Sequence, residues 1–188
     1  LSDDGSRTRR ILWLKDTNED GDALDLDECR VIYDGTALST PVLLDIQALA
    51  LASDGAVYAA DATLQAIVLL RDLDGDGTFL GAEEGVLYYQ GHDDLSPGDV
   101  QSLLCFEGAL YSCDKETGKI LRLQDTNLDG DAGDDGEACI FLDKSSPARI
   151  GSLLDFLPFP GQGFVILENS KDAVLWVRDL NSDGDALD

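Results

Sequence analysis

The chain has 188 residues, of which 44% are hydrophobic, a share typical of a protein that buries a core. Its formal net charge is −25, from 38 acidic and 13 basic residues. This balance argues against a nucleic-acid-binding protein, because phosphate recognition needs clustered lysine and arginine. No apolar run reaches the ~18 to 20 residues that a membrane-spanning helix requires.

The acidic residues are concentrated in four related loops. The loops are DTNEDGDALDLDE from Asp16, DLDGDGTFLGAEE from Asp72, DTNLDGDAGDDGE from Asp125 and DLNSDGDALD from Asp179. They hold 22 of the 38 acidic residues and no basic ones, and they start 56, 53 and 54 residues apart. The charge therefore marks four sites and not a disordered acidic tail. The period is close to that of four-stranded propeller blades.

The first predicted elements are the two outer strands of a partial blade, at residues 1–35. RRILWLKD, from Arg9, is a third strand that enters the first acidic loop, and CRVIYDG, from Cys29, is the fourth strand that leaves it. Their β-branched and aromatic residues favour strands on either side of the loop.

Residues 42–91 contain a complete blade of four strands in meander order. LLDIQALALAS, from Leu43, is joined to AVYAAD by Asp54-Gly55, a dipeptide that accepts positive φ in a tight hairpin. AIVLLRD then enters the second acidic loop, and GVLYYQG leaves it. Runs that are apolar on consecutive residues are typical of strands covered on both faces by neighbouring sheets.

The same order recurs at residues 100–143 and, in part, at residues 150–188. The strands are SLLCF, ALYSCD, KILRLQ and ACIFLD in the first unit, and SLLDFLPF, FVILEN and AVLWVRD in the second. Turns with proline, at Pro41, Pro97 and Pro147, precede the first strands. The predicted fold class is all-β. It is a β-propeller of four-stranded antiparallel blades of about 54 residues, of which this single segment contains about three and a half.

Three strand pairs resemble blades of NHL-type propellers. VYAADATLQAIVLL, LYSCDKETGKILRL and FVILENSKDAVLWV each place an acid or amide after the second strand, at Asp61, Asp114 and Asn169, before an apolar third strand. The resemblance implies the propeller fold. We interpret the three side chains as turn formers that bond to their own backbone; the alternative is that they are ligands lining a central channel.

Each acidic loop has side-chain oxygens at positions one, three and five, counted from its first aspartate, and glycine at position six. The ligands predicted at the odd positions are Asp16, Asn18, Asp20, Asp72, Asp74, Asp76, Asp125, Asn127, Asp129, Asp179, Asn181 and Asp183. This D-x-[DN]-x-D-G pattern resembles the opening of an EF-hand calcium loop. A hard cation that takes six to eight oxygens fits such a set, so we predict about three to four Ca²⁺ ions per chain.

The closing residue departs from the EF-hand pattern. An EF-hand closes with a bidentate glutamate at position twelve, where these loops have Asp27, Glu83 and Gly136, whereas position thirteen is glutamate in every complete loop. We therefore predict closing ligands at Glu28, Glu84 and Glu137, backbone carbonyl donors at Asp22, Thr78, Asp131 and Asp185, and optional ligands at position ten, at Asp25, Asp134 and Asp188. Gly81 at position ten predicts that the second loop binds differently or more weakly.

The flanking elements are strands, and in this the loops resemble those inside the blades of integrin-type FG-GAP propellers. Those loops usually close with an earlier aspartate, so the likeness is one of principle. It implies that a D-x-[DN]-x-D-G loop can sit within a blade.

The other reactive residues have structural interpretations. Cys29, Cys105, Cys113 and Cys139 are predicted to be unpaired core thiols, with disulfide pairing as the alternative. His92 is predicted to be an exposed loop residue, with a role as base or ligand as the alternative.

Trp13 and Trp176 occupy equivalent places in strand three. We predict that they pack between blades; an exposed platform for glycans is the alternative.

The predicted function is that of an extracellular calcium-binding propeller that serves as a structural, adhesive or assembly module. Millimolar calcium is extracellular, so we expect a secreted or cell-surface protein. The absence of methionine indicates a mature or trimmed product, so the lack of a signal peptide does not bear on secretion. The alternative is a calcium-stabilised propeller enzyme of the lactonase, phytase-like or sugar dehydrogenase class, completed by residues outside this chain. The sequence has no G-x-S-x-G motif, no histidine-containing metal cluster and no phosphate loop.

The predicted partners are other copies of the chain or remaining blades, which would pair through open strand edges. Glycan or protein ligands are further candidates, whereas nucleic acid and a membrane span are not expected. We expect a segment of a protein with roughly six to eight blades; a closed oligomer or an open fibre is the alternative.

Overall fold

The structure is a computed structural model, and it describes residues 9–35, 42–91, 93–159, 161 and 163–187. Within these residues the ordered elements are thirteen β-strands and one short 3₁₀ helix at Asp93–Leu95. None of the described helices is long and apolar enough to span a membrane. The predicted all-β class is confirmed.

The strands form four antiparallel sheets. The first sheet consists of β1 (Arg10–Leu14) and β2 (Cys29–Asp34). The second consists of β3 (Ile46–Leu51), β4 (Val57–Asp61), β5 (Ala66–Leu70) and β6 (Gly85–Tyr89). The third consists of β7 (Val100–Phe106), β8 (Ala109–Asp114), β9 (Lys119–Leu123) and β10 (Ala138–Leu142). The fourth consists of β11 (Leu153–Phe159), β12 (Gly163–Glu168) and β13 (Ala173–Val177).

Strand order within each sheet follows the chain, so every connection within a sheet joins neighbouring strands. The register shifts at the same place in three sheets, between the first and third residues of β3, β7 and β11. The sequence repeat is therefore a structural repeat. The described sheets do not close into a ring, so the propeller, its blade number and the blade boundaries stay predictions.

Three hydrophobic cores lie between successive sheets. The core between the first and second sheets includes Ile11, Tyr33, Val57, Val68 and Leu70. The next two cores, between the second and third sheets and between the third and fourth sheets, include Ile67, Leu69, Leu103, Leu121, Ile120, Phe141, Phe156 and Phe164. All five residues of β5 are buried, because one face contributes to the first core and the other face to the second.

A buried acid ends the second strand of three sheets, at Asp61, Asp114 and Glu168. Each accepts hydrogen bonds from the residues two and three positions further along the chain. The turn-forming role predicted for Asp61 and Asp114 is confirmed. The same prediction for Asn169 is wrong, because the pairing of β12 with β13 places Glu168 in the equivalent position.

Glu168 is expected to make stability depend on pH. Burial alone would raise its pKa, but hydrogen bonds from the Ser170 hydroxyl and from the backbone N–H groups of Ser152, Gly151 and Lys171 outweigh burial and lower the pKa to about 2. Because this folded pKa lies below the ordinary value of 4.5, the stabilisation is present above that value and is lost as the pH falls towards 2.

Urea unfolding of the Glu168→Gln variant and of wild type, both in saturating calcium, tests this prediction. The variant should be less stable than wild type at pH 7, and the difference should shrink as the pH falls from 5 towards 2. Glu116→Gln, at an exposed position, is the matched control and should leave the profile unchanged. A difference for Glu168→Gln that is independent of pH would contradict the assignment.

Candidate metal centres

The acidic loops follow β1, β5, β9 and β13. The first loop (16–28) joins β1 to β2, the second (72–84) joins β5 to β6, the third (125–137) joins β9 to β10, and the fourth (179–187) follows β13. A backbone hydrogen bond closes the neck of each complete loop, as from Lys15 N to Glu28 O at 2.9 Å. The strand ladders therefore fix both ends of these three loops.

The position-one aspartate organises the turn in every loop. In the first loop, Asp16 Oδ1 accepts a hydrogen bond from Glu19 N at 2.6 Å, and Asp16 Oδ2 accepts one from Gly21 N at 2.9 Å. The other three loops repeat both contacts. Position six needs glycine because its φ lies between 78° and 105° in all four loops, a region that side-chain-bearing residues rarely adopt.

Positions three, five and ten converge in the first loop. Asn18 Nδ2 donates to Asp25 Oδ2 at 2.6 Å and to Asp20 Oδ2 at 3.2 Å. The third loop repeats this arrangement at Asn127, with distances of 2.7 and 3.0 Å. An amide N–H₂ group thus sits between two carboxylates that would otherwise repel each other.

The second loop has a carboxylate at position three and so lacks this amide. Oxygens of Asp72, Asp74 and Glu84 all lie within 4.8 Å of one another. An arginine from β2 of the preceding sheet approaches this loop: a Cβ atom on Gly77 would lie 2.6 Å from Arg30 Nη2. The sequence pattern did not predict this approach of Arg30, which also places its guanidinium carbon 5.1 Å from the centre of the Trp13 ring.

The position-thirteen glutamates lie buried beneath the loops, with exposures of 0% for Glu28, 2% for Glu84 and 3% for Glu137. Glu28 Oε1 accepts hydrogen bonds from Thr17 N at 2.7 Å and from Asn18 N at 3.3 Å. Backbone N–H groups across the loop bind the other two glutamates in the same way. Buried carboxylates of this kind are rare without partners, and here the loop backbone supplies them.

Electrostatics favour the charged form of Glu28 and Glu137. The backbone N–H of Thr17 is the largest cause that holds the pKa of Glu28 below its ordinary value, against the opposing effect of burial. The backbone N–H of Thr126 does the same for the pKa of Glu137. Two of the three predicted closing residues are thus held as carboxylates, the form that a divalent cation requires.

The position-seven aspartates form hydrogen bonds within their own loops. Asp22, Asp131 and Asp185 each accept a backbone N–H from the residue two positions later. In the second loop, the buried hydroxyl oxygen of Thr78 has no hydrogen-bond partner among the described residues. The three position-seven aspartates are thus bonded to their own loops, and the backbone carbonyl stays the predicted ligand at this position. Two predicted residues, Asp188 and His92, lie outside the described residues.

Position eight makes a contact that was not predicted. Its backbone N–H donates to the last strand of the preceding sheet. The bond runs from Phe79 to Ile32 O at 2.7 Å, and the two later loops have equivalent bonds from Ala132 to Tyr88 O at 2.8 Å and from Ala186 to Phe141 O at 2.7 Å. The signal that could have revealed it is an apolar residue at position eight of each acidic loop.

The tryptophans and cysteines agree only in part with their predicted roles. Trp13 is half-buried against the core between the first and second sheets, as predicted. Trp176 lies on β13, the last strand, and is 53% exposed, so its packing between sheets stays a prediction. All four cysteines are unpaired. Burial raises the pKa of Cys113 to about 12, whereas Cys29 is exposed and lies outside the core.

Comparisons with known proteins assign no family. No protein-family model matches the chain, and no curated protein matches it. Among solved structures, the chain is similar to the PQQ-bound form of aldose sugar dehydrogenase from Streptomyces coelicolor, with 14% sequence identity and a TM-score of 0.44. The likeness covers 86% of this chain but only 45% of the other. A likeness of this size assigns neither a cofactor nor a substrate to this chain.

Proposed function

We propose that the chain is part of an NHL-type β-propeller whose EF-hand-like loops bind Ca²⁺ outside the cell, and that it serves as a structural, adhesive or assembly module. The observation that carries the proposal is the repetition of one turn in four loops, with side-chain oxygens at positions one, three and five. A buried glutamate stands beneath each of the three complete loops.

The donor set fits calcium. Every predicted ligand offers oxygen, and the loops contain no histidine or cysteine, which softer metals would favour. In the second loop Asp72, Asp74 and Glu84 would hold the ion. Bound Ca²⁺ would supply the positive charge that keeps these carboxylates together. Like charges at such distances repel, so without a cation the loop is expected to open.

The propeller part of the proposal is supported by the packing of successive sheets. Each sheet covers the next through a hydrophobic core, and the first strands β3, β7 and β11 contact one another in chain order. Face-to-face packing of four-stranded meanders, with one strand of each nearest a common axis, is the arrangement of propeller blades.

The extracellular part follows from the affinity expected for such loops. A site with a dissociation constant of about 10 µM would be nearly full in millimolar calcium and would stabilise the folded state by about 2.7 kcal/mol. Calcium at this level is an extracellular condition. Loops with this affinity would stay occupied there and would stabilise the hairpins at all times.

A comparison of calcium with magnesium tests the proposed function. Thermal unfolding is measured in 0.1 M salt with added CaCl₂ or with an equal concentration of MgCl₂. We expect calcium to raise the melting temperature much more than magnesium does, because Mg²⁺ demands octahedral geometry and gives up its water reluctantly. Equal, small shifts with the two salts would indicate charge screening alone and would contradict the proposal.

Arg30 is expected to weaken the second site, since its guanidinium approaches that loop at Gly77. Arg30→Gln should raise the calcium affinity of the second loop by about fivefold, which corresponds to the removal of about 1 kcal/mol of charge repulsion. The measurement is a calcium titration in a Glu28→Gln, Glu137→Gln background, which leaves the second loop as the one complete loop with its closing carboxylate.

The matched control for this prediction is Arg10→Gln. Arg10 Nε donates to Asp34 Oδ2 at 2.8 Å on the first sheet, and the substitution should leave the affinity unchanged. Equal affinities for Arg30→Gln and its background protein would show that the guanidinium does not act on the site.

A further inference from the structure

The second, third and fourth loops each belong to two neighbouring sheets. The loop follows the third strand of its own sheet, yet its position-eight N–H donates to the last strand of the preceding sheet. The position-eight side chains are buried in the core between the same two sheets, with exposures of 7% for Phe79, 0% for Ala132 and 6% for Ala186.

One peptide group links this contact to the predicted ion site. The carbonyl of position seven and the N–H of position eight belong to the same planar peptide, and in a trans peptide they point in opposite directions. In the second loop this is the peptide between Thr78 and Phe79, whose N–H donates to Ile32 O at 2.7 Å. The predicted ligand and the contact between the sheets are therefore the two ends of one rigid unit.

We propose that this peptide couples calcium binding to the packing of each sheet on the preceding one. The inference rests on the proposed calcium function and adds a role for residues that are not ligands: Phe79, Ala132 and Ala186 are positioning residues. Docked on the preceding sheet, they hold the position-seven carbonyl towards the ion site. Polarisation of that carbonyl by a cation would in turn strengthen the N–H bond to the neighbouring sheet.

Coupling of this kind is reciprocal. If bound calcium favours docking of position eight on the preceding sheet by some factor, docking must raise the calcium affinity by the same factor. A substitution that loosens position eight should therefore lower the calcium affinity although it removes no ligand. Removal of calcium should likewise expose the position-eight amides to solvent exchange.

Phe79→Ala tests the coupling in the full chain, again in the Glu28→Gln, Glu137→Gln background. We expect a fall of about tenfold in the calcium affinity of the second loop, a typical allosteric coupling. Phe79→Leu, which keeps an apolar side chain in the core, should restore most of the affinity. Leu80→Ala is the matched control, because Leu80 is the next residue and is 38% exposed.

Hydrogen exchange of the wild-type chain provides a second readout that needs no variant. The amides of Phe79, Ala132 and Ala186 should exchange slowly in calcium, and EDTA should speed up their exchange more than that of the buried strand β5. Unchanged calcium affinity in Phe79→Ala, together with equal exchange in the two conditions, would overturn the coupling while leaving calcium binding intact. If the wild-type chain binds no calcium, the proposed function fails and the coupling fails with it.

Discussion

Excess EDTA is expected to lower the free energy of unfolding by about 8 kcal/mol, as three complete loops each lose about 2.7 kcal/mol of calcium stabilisation. This is comparable to the whole stability of an ordinary domain, about 5–15 kcal/mol, so the calcium-free chain should be partly unfolded at room temperature. The loops should open first, because their carboxylates repel once the cation is gone.

Urea unfolding followed by circular dichroism measures this loss. The curve in millimolar calcium should lie at much higher urea than the curve in EDTA, and EDTA already saturated with calcium should have no effect. Superimposable curves in calcium and in EDTA would contradict the prediction, because they would mean that the folded state does not bind the ion more tightly than the unfolded chain does.

Glu137→Gln should reduce the calcium affinity of the third loop by at least about 100-fold, the upper range for loss of a supporting partner at a metal site. Glu137 accepts N–H bonds from Thr126, Asn127 and Asp134, so its carboxylate ties both sides of the loop together. Glutamine keeps the shape, but it removes the negative charge and places an N–H₂ group against other donors.

Asp135→Asn is the matched control, since it removes one charge from an exposed position of the same loop that is not a predicted ligand. Calorimetric titration should find the third site lost in Glu137→Gln and retained in Asp135→Asn. If both variants lost the same affinity, net charge and not the closing carboxylate would set the binding.

Local features of the fold and the candidate site were predictable from the sequence. Hairpin dipeptides such as Asp54-Gly55 and the consecutive apolar residues of β5 depend on neighbouring residues alone, and the strands lie where these patterns place them. The spacing of oxygens and glycine in each loop likewise predicted a common turn, which recurs in all four loops.

Features that depend on distant residues were not predictable. The approach of Arg30 to Gly77 and the bond from Phe79 to Ile32 each join residues 47 positions apart, and no local pattern encodes them. The turn former of the fourth sheet was predicted one residue too late, at Asn169 instead of Glu168. The reason is that strand register, which the local sequence does not fix, sets which residue ends β12.

The most direct test of the account is a count of bound calcium. The chain is dialysed to equilibrium against 1 mM calcium in 0.1 M salt, which suppresses uneven ion distribution around a protein of charge −25, and calcium per chain is measured by elemental analysis. The account predicts about three to four ions per chain. No calcium above the level of the dialysis buffer would contradict it.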